Sequence, residues 1–426
     1  MPDPRAVRPS AFAAVTLTLA LAACGSETTS TSTDNLVVTP SRLVLGLGMS
    51  RQLSAAVIDV AGVPVTGATV SFRSTDPSRA TVTSEGVVHY VGAGQAEIRA
   101  SSDELVVVVP YTGLQSGHPL GAMTSSTRLP GDGQGDGPFG AAVDGDGRIF
   151  ISQTNSGRIA SDRYPVTSFT TRELGGSPTS IALLGGGTAL VTPTGPDTSD
   201  VSLIELSSNR VLAQIPLHVH AFSAVTASDS QTVYLGTNDG RVLLFDAGSA
   251  QVTGEIDLGV ARSRVNHLAL NATGTLLYAS SFTTGTVSEI DLVSRTAARI
   301  FIVGGQPQGI AISPDGTELY VANEAGTGEI DIYDVVGDTL ETTIPSGAMA
   351  STGGPFALAL SPDGTRVYVG VISLEGPGLI QVIDAGTRTI ERTITSCGAM
   401  PRRIAFGFSG GLAVIPDESG CANFVE

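Results

Sequence analysis

Two residue types are absent from this chain, lysine and tryptophan. All 23 basic residues are therefore arginines, and they stand against 40 acidic residues, so the formal net charge is −17. Binding to nucleic acid phosphates needs a basic surface, and this charge balance argues against nucleic acid as a partner. The same negative charge favours solubility and weak repulsion from anionic membranes.

Charged residues are also scarce, at 15%, and only three cysteines occur in 426 residues. Glycine is abundant at 52 residues, which together with many Thr, Ser and Val residues is typical of turn-rich β structure. The length suits two or three domains. No phosphate-binding loop, Ser/His/Asp triad or Cys/His zinc motif occurs, so the sequence assigns no cofactor and no catalytic or metal-ligating residue.

A hydrophobic run long enough to span a bilayer is missing as well. The apolar stretch Ala11–Leu21 is too short for a permanent transmembrane helix, and two arginines precede it, as in an export signal. It ends in Leu21-Ala22-Ala23-Cys24, which resembles the bacterial lipobox. The resemblance implies that residues 1–23 are a lipoprotein signal peptide and that Cys24 carries lipid as the first mature residue. An ordinary signal peptide with an incidental cysteine is the alternative.

The segment after Cys24 supports an exported, anchored chain. Residues 24–35 are polar and rich in Ser and Thr, which predicts a flexible tether. By the lipobox resemblance, Gly25 does not specify retention in the inner membrane of a Gram-negative cell. We therefore expect a chain anchored in the cell envelope, at the outer membrane or cell surface, with the membrane as a partner through lipid on Cys24.

Residues 36–110 predict a small β domain. Seven or eight short strands bounded by Gly, Pro, Asp or Ser indicate a sandwich, and no cysteine is present to hold its core. The phrases VVTPSRLVLGLGMSRQLSAAVID and ATVSFRSTDPSRATVTSEGVVHYVGAGQAEIRA resemble the group 2 bacterial immunoglobulin-like domain, with Phe72 at the usual tryptophan position. The resemblance implies a spacer or adhesion module. The predicted strands are Leu36–Val38, Leu43–Leu45, Gln52–Val60, Ala68–Ser74, Ala80–Val82, Gly86–Val91, Ala96–Ala100 and Leu105–Val109.

An internal repeat of about 40 to 48 residues fills the rest of the chain. The clearest copies contain ISPDGTELYVANEAG at 312–326 and LSPDGTRVYVG at 360–370. Four short strands per copy at this period indicate a β-propeller in which each copy is one blade. For the copy at 307–347 the predicted strands are Ile310–Ser313, Glu318–Ala322, Gly328–Asp334 and Thr339–Ile344.

The last copy has sequence for only three strands. Residues 121–131 resemble an outer-strand phrase and supply the fourth strand, so residues 118–426 predict a ring of seven blades closed by its own two ends. The SPDG and YVAN phrases resemble the YVTN-type bacterial propeller repeat, whereas the first copy looks more like a blade of the NHL or streptogramin-lyase style. The expected fold class is all-β: an immunoglobulin-like β-sandwich followed by a seven-bladed β-propeller.

The two remaining cysteines predict a disulfide. Cys397 and Cys421 fall on the same rim of the predicted ring, and an exported chain permits the bond. Two free buried thiols are the alternative to a Cys397–Cys421 bond.

The repeats align a set of polar and aromatic residues where the first strand of each copy begins, around one mouth of the predicted central channel. Imidazole, guanidinium, amide and aromatic groups in such a ring form a candidate ligand site, and the Arg pair would suit a carboxylate or phosphate. The alternative is a set of polar residues around a solvent-filled funnel. The candidate residues are His220, Phe222, Asn266, His267, Gln308, Phe356, Arg402 and Arg403.

Two further patterns carry less weight. His218 and His220 could place two imidazoles on one side of a strand as metal ligands, but no carboxylate stands nearby in sequence. The Asp144–Gly147 and Asp132–Asp136 stretches look like calcium loops, but they lack the spaced third ligand and the closing Glu. Hairpin turns are the favoured interpretation.

These patterns favour a non-catalytic envelope lipoprotein whose propeller is a binding or scaffold module for a protein, a glycan or a small molecule. The contrasting hypothesis is an enzyme, because seven-bladed relatives of this type include lactonases and the streptogramin lyase, which work near the channel mouth with His, acidic residues and sometimes a divalent metal. A purely structural envelope component is a third hypothesis.

Overall fold

The structure is a computed structural model of the chain. It describes residues 35–39, 43–45, 50–59, 63–92, 94–113, 123–130, 136–193, 199–260, 263–324, 328–347, 353–407 and 411–425. The predicted signal peptide, Cys24 and nearly all of the predicted tether lie outside these ranges. Within them, no helix has the length and apolar character that crossing a bilayer requires.

The N-terminal part of the described chain contains nine short strands in three sheets. The strands are β1 (Asn35–Thr39), β2 (Leu43–Leu45), β3 (Ser50–Gln52), β4 (Ser54–Ile58), β5 (Ser71–Ser74), β6 (Ala80–Val82), β7 (Val87–Tyr90), β8 (Gly94–Ser102) and β9 (Leu105–Gly113). The sheet orders are β1–β4, β2–β9–β8–β5 and β3–β7–β6, and only the β2–β9 pair is parallel. Side chains from all three sheets, among them Val57, Val88 and Ile98, share one hydrophobic core.

One predicted strand of this region is divided in the structure. The predicted strand Gln52–Val60 is interrupted at Leu53, whose amide donates to the carbonyl of Gly86 at 2.9 Å and whose side chain is buried. The chain passes there from the sheet containing β7 to the sheet containing β1. Apolar periodicity predicts a strand but not which sheet it joins, so the change of sheet was not visible in the sequence.

The other strands form seven four-stranded antiparallel sheets, numbered here in chain order. Sheet 1 contains β11 (Pro138–Val143), β12 (Arg148–Gln153), β13 (Arg158–Arg163) and β14 (Thr170–Glu173). Sheet 2 contains β15 (Pro178–Leu184), β16 (Thr188–Pro193), β17 (Asp200–Glu205) and β18 (Arg210–Pro216). Sheet 3 contains β19 (Ala221–Thr226), β20 (Thr232–Thr237), β21 (Arg241–Asp246) and β22 (Gln251–Asp257). A 3-10 turn, Gly185–Gly187, links β15 to β16.

Sheets 4 to 7 follow the same plan. They contain β23 (Val265–Leu270), β24 (Leu276–Ser281), β25 (Thr286–Asp291), β26 (Thr296–Ile302); β27 (Pro307–Ile312), β28 (Glu318–Asn323), β29 (Glu329–Asp334), β30 (Thr339–Pro345); β31 (Pro355–Leu360), β32 (Arg366–Val371), β33 (Leu379–Asp384), β34 (Thr389–Thr395); and β35 (Ala405–Gly407), β36 (Leu412–Asp417), β37 (Cys421–Val425) with β10 (Met123–Arg128).

The seven sheets face one another around a closed ring. Their first strands contact in order from β11 to β31, and β11 also contacts β35 and β36 of sheet 7. A separate hydrophobic layer fills each of the seven interfaces between neighbouring sheets. The second strands are buried on both faces, as continuous apolar runs such as LYVA predict. This all-β arrangement fits a β-propeller in which each sheet is one blade.

The ring is closed by its first and last strands. β10 pairs with β37 in an antiparallel register that places Ser126 opposite Asn423, so the truncated last copy is completed from residues before the first copy. Cys397, just after β34, and Cys421, the first residue of β37, form the predicted disulfide. The bond therefore ties the closing sheet to the end of sheet 6.

Candidate ligand site at one end of the ring

The first strands place side chains at one common end of the ring, which we call the mouth. Phe139 of sheet 1 contacts Phe222 of sheet 3 and Phe356 of sheet 6, with ring centroids 5.6 Å and 5.9 Å apart. These sheets are not neighbours, so the three rings meet at the axis of the ring. The mouth cluster consists of these phenylalanines and their polar neighbours: Phe139, Phe222, Arg264, Asn266, Gln308, Glu324, Phe356, Arg402, Arg403 and Glu418.

Arg402 covers two of the axial rings. Its guanidinium carbon lies 4.4 Å from the centroid of Phe356 and 5.3 Å from that of Phe139. The same guanidinium forms an ion pair with Glu418, to which its Nε donates at 2.6 Å. Cation–π contact and an ion pair thus hold this arginine in place. Protein side chains therefore meet at the axis at the level of these phenylalanine rings.

A chain of hydrogen bonds runs from sheet 4 to sheet 5. The Nε of Arg264 donates to Oδ1 of Asn266 at 2.5 Å. Asn266 in turn donates through Nδ2 to Gln308, and Gln308 donates to a carboxylate oxygen of Glu324. Asn266 and Gln308 are buried, so their mutual hydrogen bond satisfies amide groups that would otherwise be costly to bury.

Arg403 spans the axis. Its backbone amide donates to the carbonyl of Phe139 at 3.1 Å, and its guanidinium donates to the backbone carbonyl of Asn266 in sheet 4. Its Nε is buried without a hydrogen-bond partner. Burial first, and then repulsion from Arg264 and Arg402, lowers the pKa of Arg403 to about 9. Burial and repulsion from Arg402 also lower the pKa of Arg264.

The two candidate histidines do not join the mouth cluster as a pair. The ring of His267 reaches sheet 5, where its Nδ1 lies 3.1 Å from the amide nitrogen and 3.0 Å from the carbonyl oxygen of Ile310. Burial, with a smaller contribution from the charge of Arg403, holds the pKa of His267 well below its usual range. His220 precedes β19, and its Nδ1 is buried without a hydrogen-bond partner. Within the described ranges, no group of three or more His, Cys, Asp or Glu side chains is placed to hold a metal ion.

Four members of the mouth cluster were missed by the sequence reasoning: Phe139, Arg264, Glu324 and Glu418. The repeat carried a signal for three of them. Phe139 stands in GPFG as Phe356 stands in GPFA, and the two glutamates each follow the second strand of their copy. A weaker signal marks Arg264, which aligns with the candidate His220 at the first position of its copy.

The Asp144 turn lies at the opposite end of the ring. Oδ1 of Asp144 accepts from the amides of Asp146 at 2.9 Å and Arg148 at 2.8 Å, which is the hairpin-turn arrangement favoured over a calcium loop. The turn lines a cleft of about 580 Å³ between sheets 1 and 2, whose charged groups are of both signs, including Arg163 and Glu205. The other calcium-like stretch falls almost entirely outside the described residues.

Comparison with known proteins extends only to the fold. No family model matches the sequence, and no curated protein is similar to it. Among solved structures, hydrazine synthase of Kuenenia stuttgartiensis is similar with a TM-score of 0.61 and 15% sequence identity, over 72% of this chain and 99% of that chain. The 1776 similar chains in solved structures show that the fold is widespread, and fold alone does not determine function.

Proposed function

We propose that this chain is an envelope-anchored lipoprotein with a non-catalytic binding propeller. In this proposal Cys24 carries the lipid, residues 24–35 are the tether, and residues 36–110 form a group 2 bacterial immunoglobulin-like sandwich that serves as a spacer or adhesion module. Residues 118–426 form a seven-bladed YVTN-type propeller whose mouth binds a protein, a glycan or a small molecule.

The convergence of side chains at the mouth carries this proposal. Residues from six of the seven sheets meet there, and the cluster combines guanidinium, amide and carboxylate groups with three aromatic rings. Ligand sites usually combine an apolar lining with a few convergent polar groups in this way.

The state of His267 favours binding over catalysis. A general base needs a pKa near the working pH and a free nitrogen aimed at the substrate. The pKa of His267 is held well below its usual range, and its Nδ1 is engaged by the backbone of Ile310. The enzyme hypothesis is therefore an outcome to be tested rather than a second proposal.

A ligand and substrate screen of the purified mature protein tests the binding function. Ligand binding, measured as a shift in the thermal unfolding midpoint, should be lost in Arg402→Gln, since this arginine covers two axial rings. It should be retained in Arg163→Gln, whose side chain lies at the opposite end of the ring. Hydrolysis of lactones, with or without divalent metal, that disappears in His267→Ala would overturn the non-catalytic assignment.

Anchoring is tested separately. Lipid labelling and membrane fractionation of the full chain should show a lipid-bearing protein in the membrane fraction, and Cys24→Ala should abolish both. An unlabelled wild-type chain released in soluble form would contradict the lipoprotein assignment while leaving the binding function open to its own test.

A further inference from the structure

The mouth cluster concentrates positive charge in a strongly acidic chain. Three arginines gather there although the formal net charge is −17. Arg402 is paired with Glu418, but within the described part of the chain neither Arg264 nor Arg403 forms an ion pair. Two guanidinium groups at the axis thus lack a protein carboxylate as a direct partner.

Both of these arginines are held by the same two residues. Arg264 and Arg403 lie over the ring of Phe222, at 4.4 Å and 5.5 Å from its centroid. Arg264 donates to the side chain of Asn266 and Arg403 to its backbone carbonyl. Each guanidinium carries five N–H donors, and these hydrogen bonds to Asn266 use one on each arginine. One aromatic ring and one asparagine therefore bring two like charges together.

Neither nearby carboxylate forms an ion pair with Arg264 or Arg403 within the described ranges. Glu418 is the partner of Arg402. Glu324 accepts from the amide of Gln308 and acts on Arg264 through its charge. Burial and repulsion from neighbouring arginines lower the pKa of both Arg264 and Arg403, and the charge of Glu324 offsets only part of this at Arg264. A partly buried pair of like charges is costly unless a counter-charge offsets it.

We propose that the mouth binds a small oxyanion, a carboxylate or phosphate group, between Arg264 and Arg403 above the ring of Phe222. Planar guanidinium groups match the oxygen spacing of both anions and bind them by charge-assisted hydrogen bonds. The proposal rests on the proposed function, because it takes the mouth as the ligand site, and it adds the chemical class of the ligand.

Isothermal titration of the mature protein with inorganic phosphate, and separately with acetate and succinate, tests this at constant ionic strength. The expected result is saturable binding of one molecule per chain by at least one of these anions. The phosphate and carboxylate arms decide which group is preferred. Arg264→Gln and Arg403→Gln should each weaken the binding at least about tenfold, as expected for loss of a charge-assisted hydrogen bond.

The matched control is Arg299→Gln. Arg299 also lies 4.4 Å from a phenylalanine centroid, that of Phe301, but it is paired with Glu289 away from the mouth. Its substitution should leave anion binding unchanged. Arg264→Gln tests the site independently if Arg403→Gln fails to fold, because the Arg264 hydrogen bond to Asn266 is local, whereas Arg403 links sheet 7 to sheet 4.

Three results would overturn the inference. The first is that none of the three anions binds saturably. The second is that wild type and Arg264→Gln bind the anion equally well. The third is that Arg299→Gln loses as much anion binding as Arg264→Gln does. Binding of an uncharged ligand that depends on Arg402 but not on Arg264 would contradict the anion site and leave the proposed binding function intact. If neither the ligand screen nor the anion titration finds a ligand, the anion site and the proposed binding function are both contradicted.

Discussion

At one position of the repeat, the residue type and its contacts differ between copies. Gly309, His267 and Arg403 align in three copies, at the third residue of the first-strand segment. A Cβ on Gly309 would lie 2.5 Å from the backbone nitrogen of Leu358, so no side chain fits between sheets 5 and 6 there. His267 instead bonds to Ile310 across the same kind of interface, and Arg403 crosses the axis. At this position the differences between copies therefore reflect packing between sheets and contacts across the axis.

We predict that His267 makes stability depend on pH. Its pKa lies well below the ordinary value of 6.5, so protonation favours the unfolded chain. The free energy of unfolding should fall as the pH drops below about 6.5, by about 1 kcal/mol between pH 7.5 and 5.5. Urea unfolding at these two pH values should show a smaller fall for His267→Gln than for the wild type.

The control for this experiment is His89→Gln, an exposed histidine of the N-terminal sheets, which should retain the wild-type pH dependence. An identical fall in the free energy of unfolding of wild type and His267→Gln would mean that His267 has the same pKa in the folded and unfolded chain. That outcome would also remove the main argument against its use as a base.

At the scale of the element, the repeated phrase forms the same turn twice. Oδ1 of Asp315 accepts from the hydroxyls of Ser313 at 2.6 Å and Thr317 at 2.9 Å, and Asp363 accepts from Ser361 and Thr365 at the same distances. The glycine that follows each aspartate has a positive φ, 77° and 72°. The SPDG phrase is thus a local turn with its own hydrogen bonds, which is why sequence alone predicted it.

The disulfide belongs to a buried polar network at the closing sheet. Ser396 donates to Asp417 at 2.7 Å, Asn423 donates to Ser396 at 3.0 Å, and the amide of Cys397 donates to Asn423 at 2.8 Å. These contacts link the end of sheet 6 to β36 and β37 beside the bond between Cys397 and Cys421.

We predict that removal of the disulfide costs about 3 kcal/mol, because it frees a loop with a sequence separation of 24 residues in the unfolded chain. Urea unfolding should show the same loss for Cys421→Ala, for Cys397→Ala and for the double variant, since one substitution already breaks the bond. Reductant should destabilise the wild type and leave the double variant unchanged. Equal effects of reductant on both proteins would contradict the prediction.

At the scale of the whole molecule, stability depends on closure of the ring. Sheets 1 to 6 are each made from consecutive strands, whereas sheet 7 is held together by pairing of β10 with β37 from the two ends of the segment. The layer between sheets 7 and 1 contains Phe424 and Leu129 together with Ile149 and Ile151, so loss of β10 also exposes a core.

We predict that prolines in the closing strand destabilise more than prolines elsewhere. Ser126 and Thr127 are neighbours in β10, so replacing both with proline removes at least one hydrogen bond to β37 and should cost about 3 kcal/mol or more. The same double change at Thr171 and Arg172 of β14, an outer strand joined to its own sheet, should cost less. Urea midpoints and amide hydrogen exchange check this, and equal losses at the two sites would refute it.

The sequence by itself determined the features that depend on local chemistry or on periodicity. The period predicted seven four-stranded units, the SPDG turns followed from residues within each turn, and the Cys397–Cys421 bond followed from two connections on one rim. The predicted bounds of the strands in sheet 5 lie within about three residues of the observed ones, because alternation and turn residues mark strands but not their ends.

Only the tertiary structure decided which aligned side chains meet. Arg403 and Asn266 are 137 residues apart, and their contact exists because the ring brings sheets 7 and 4 to a common axis. Arg403 also lies over the ring of Phe222 in sheet 3, which is a second contact across the axis, whereas Arg264 reaches the same ring from neighbouring sheet 4. A repeat specifies each unit and its neighbour contacts, whereas contacts across the axis depend on the number of units and the size of every axial side chain.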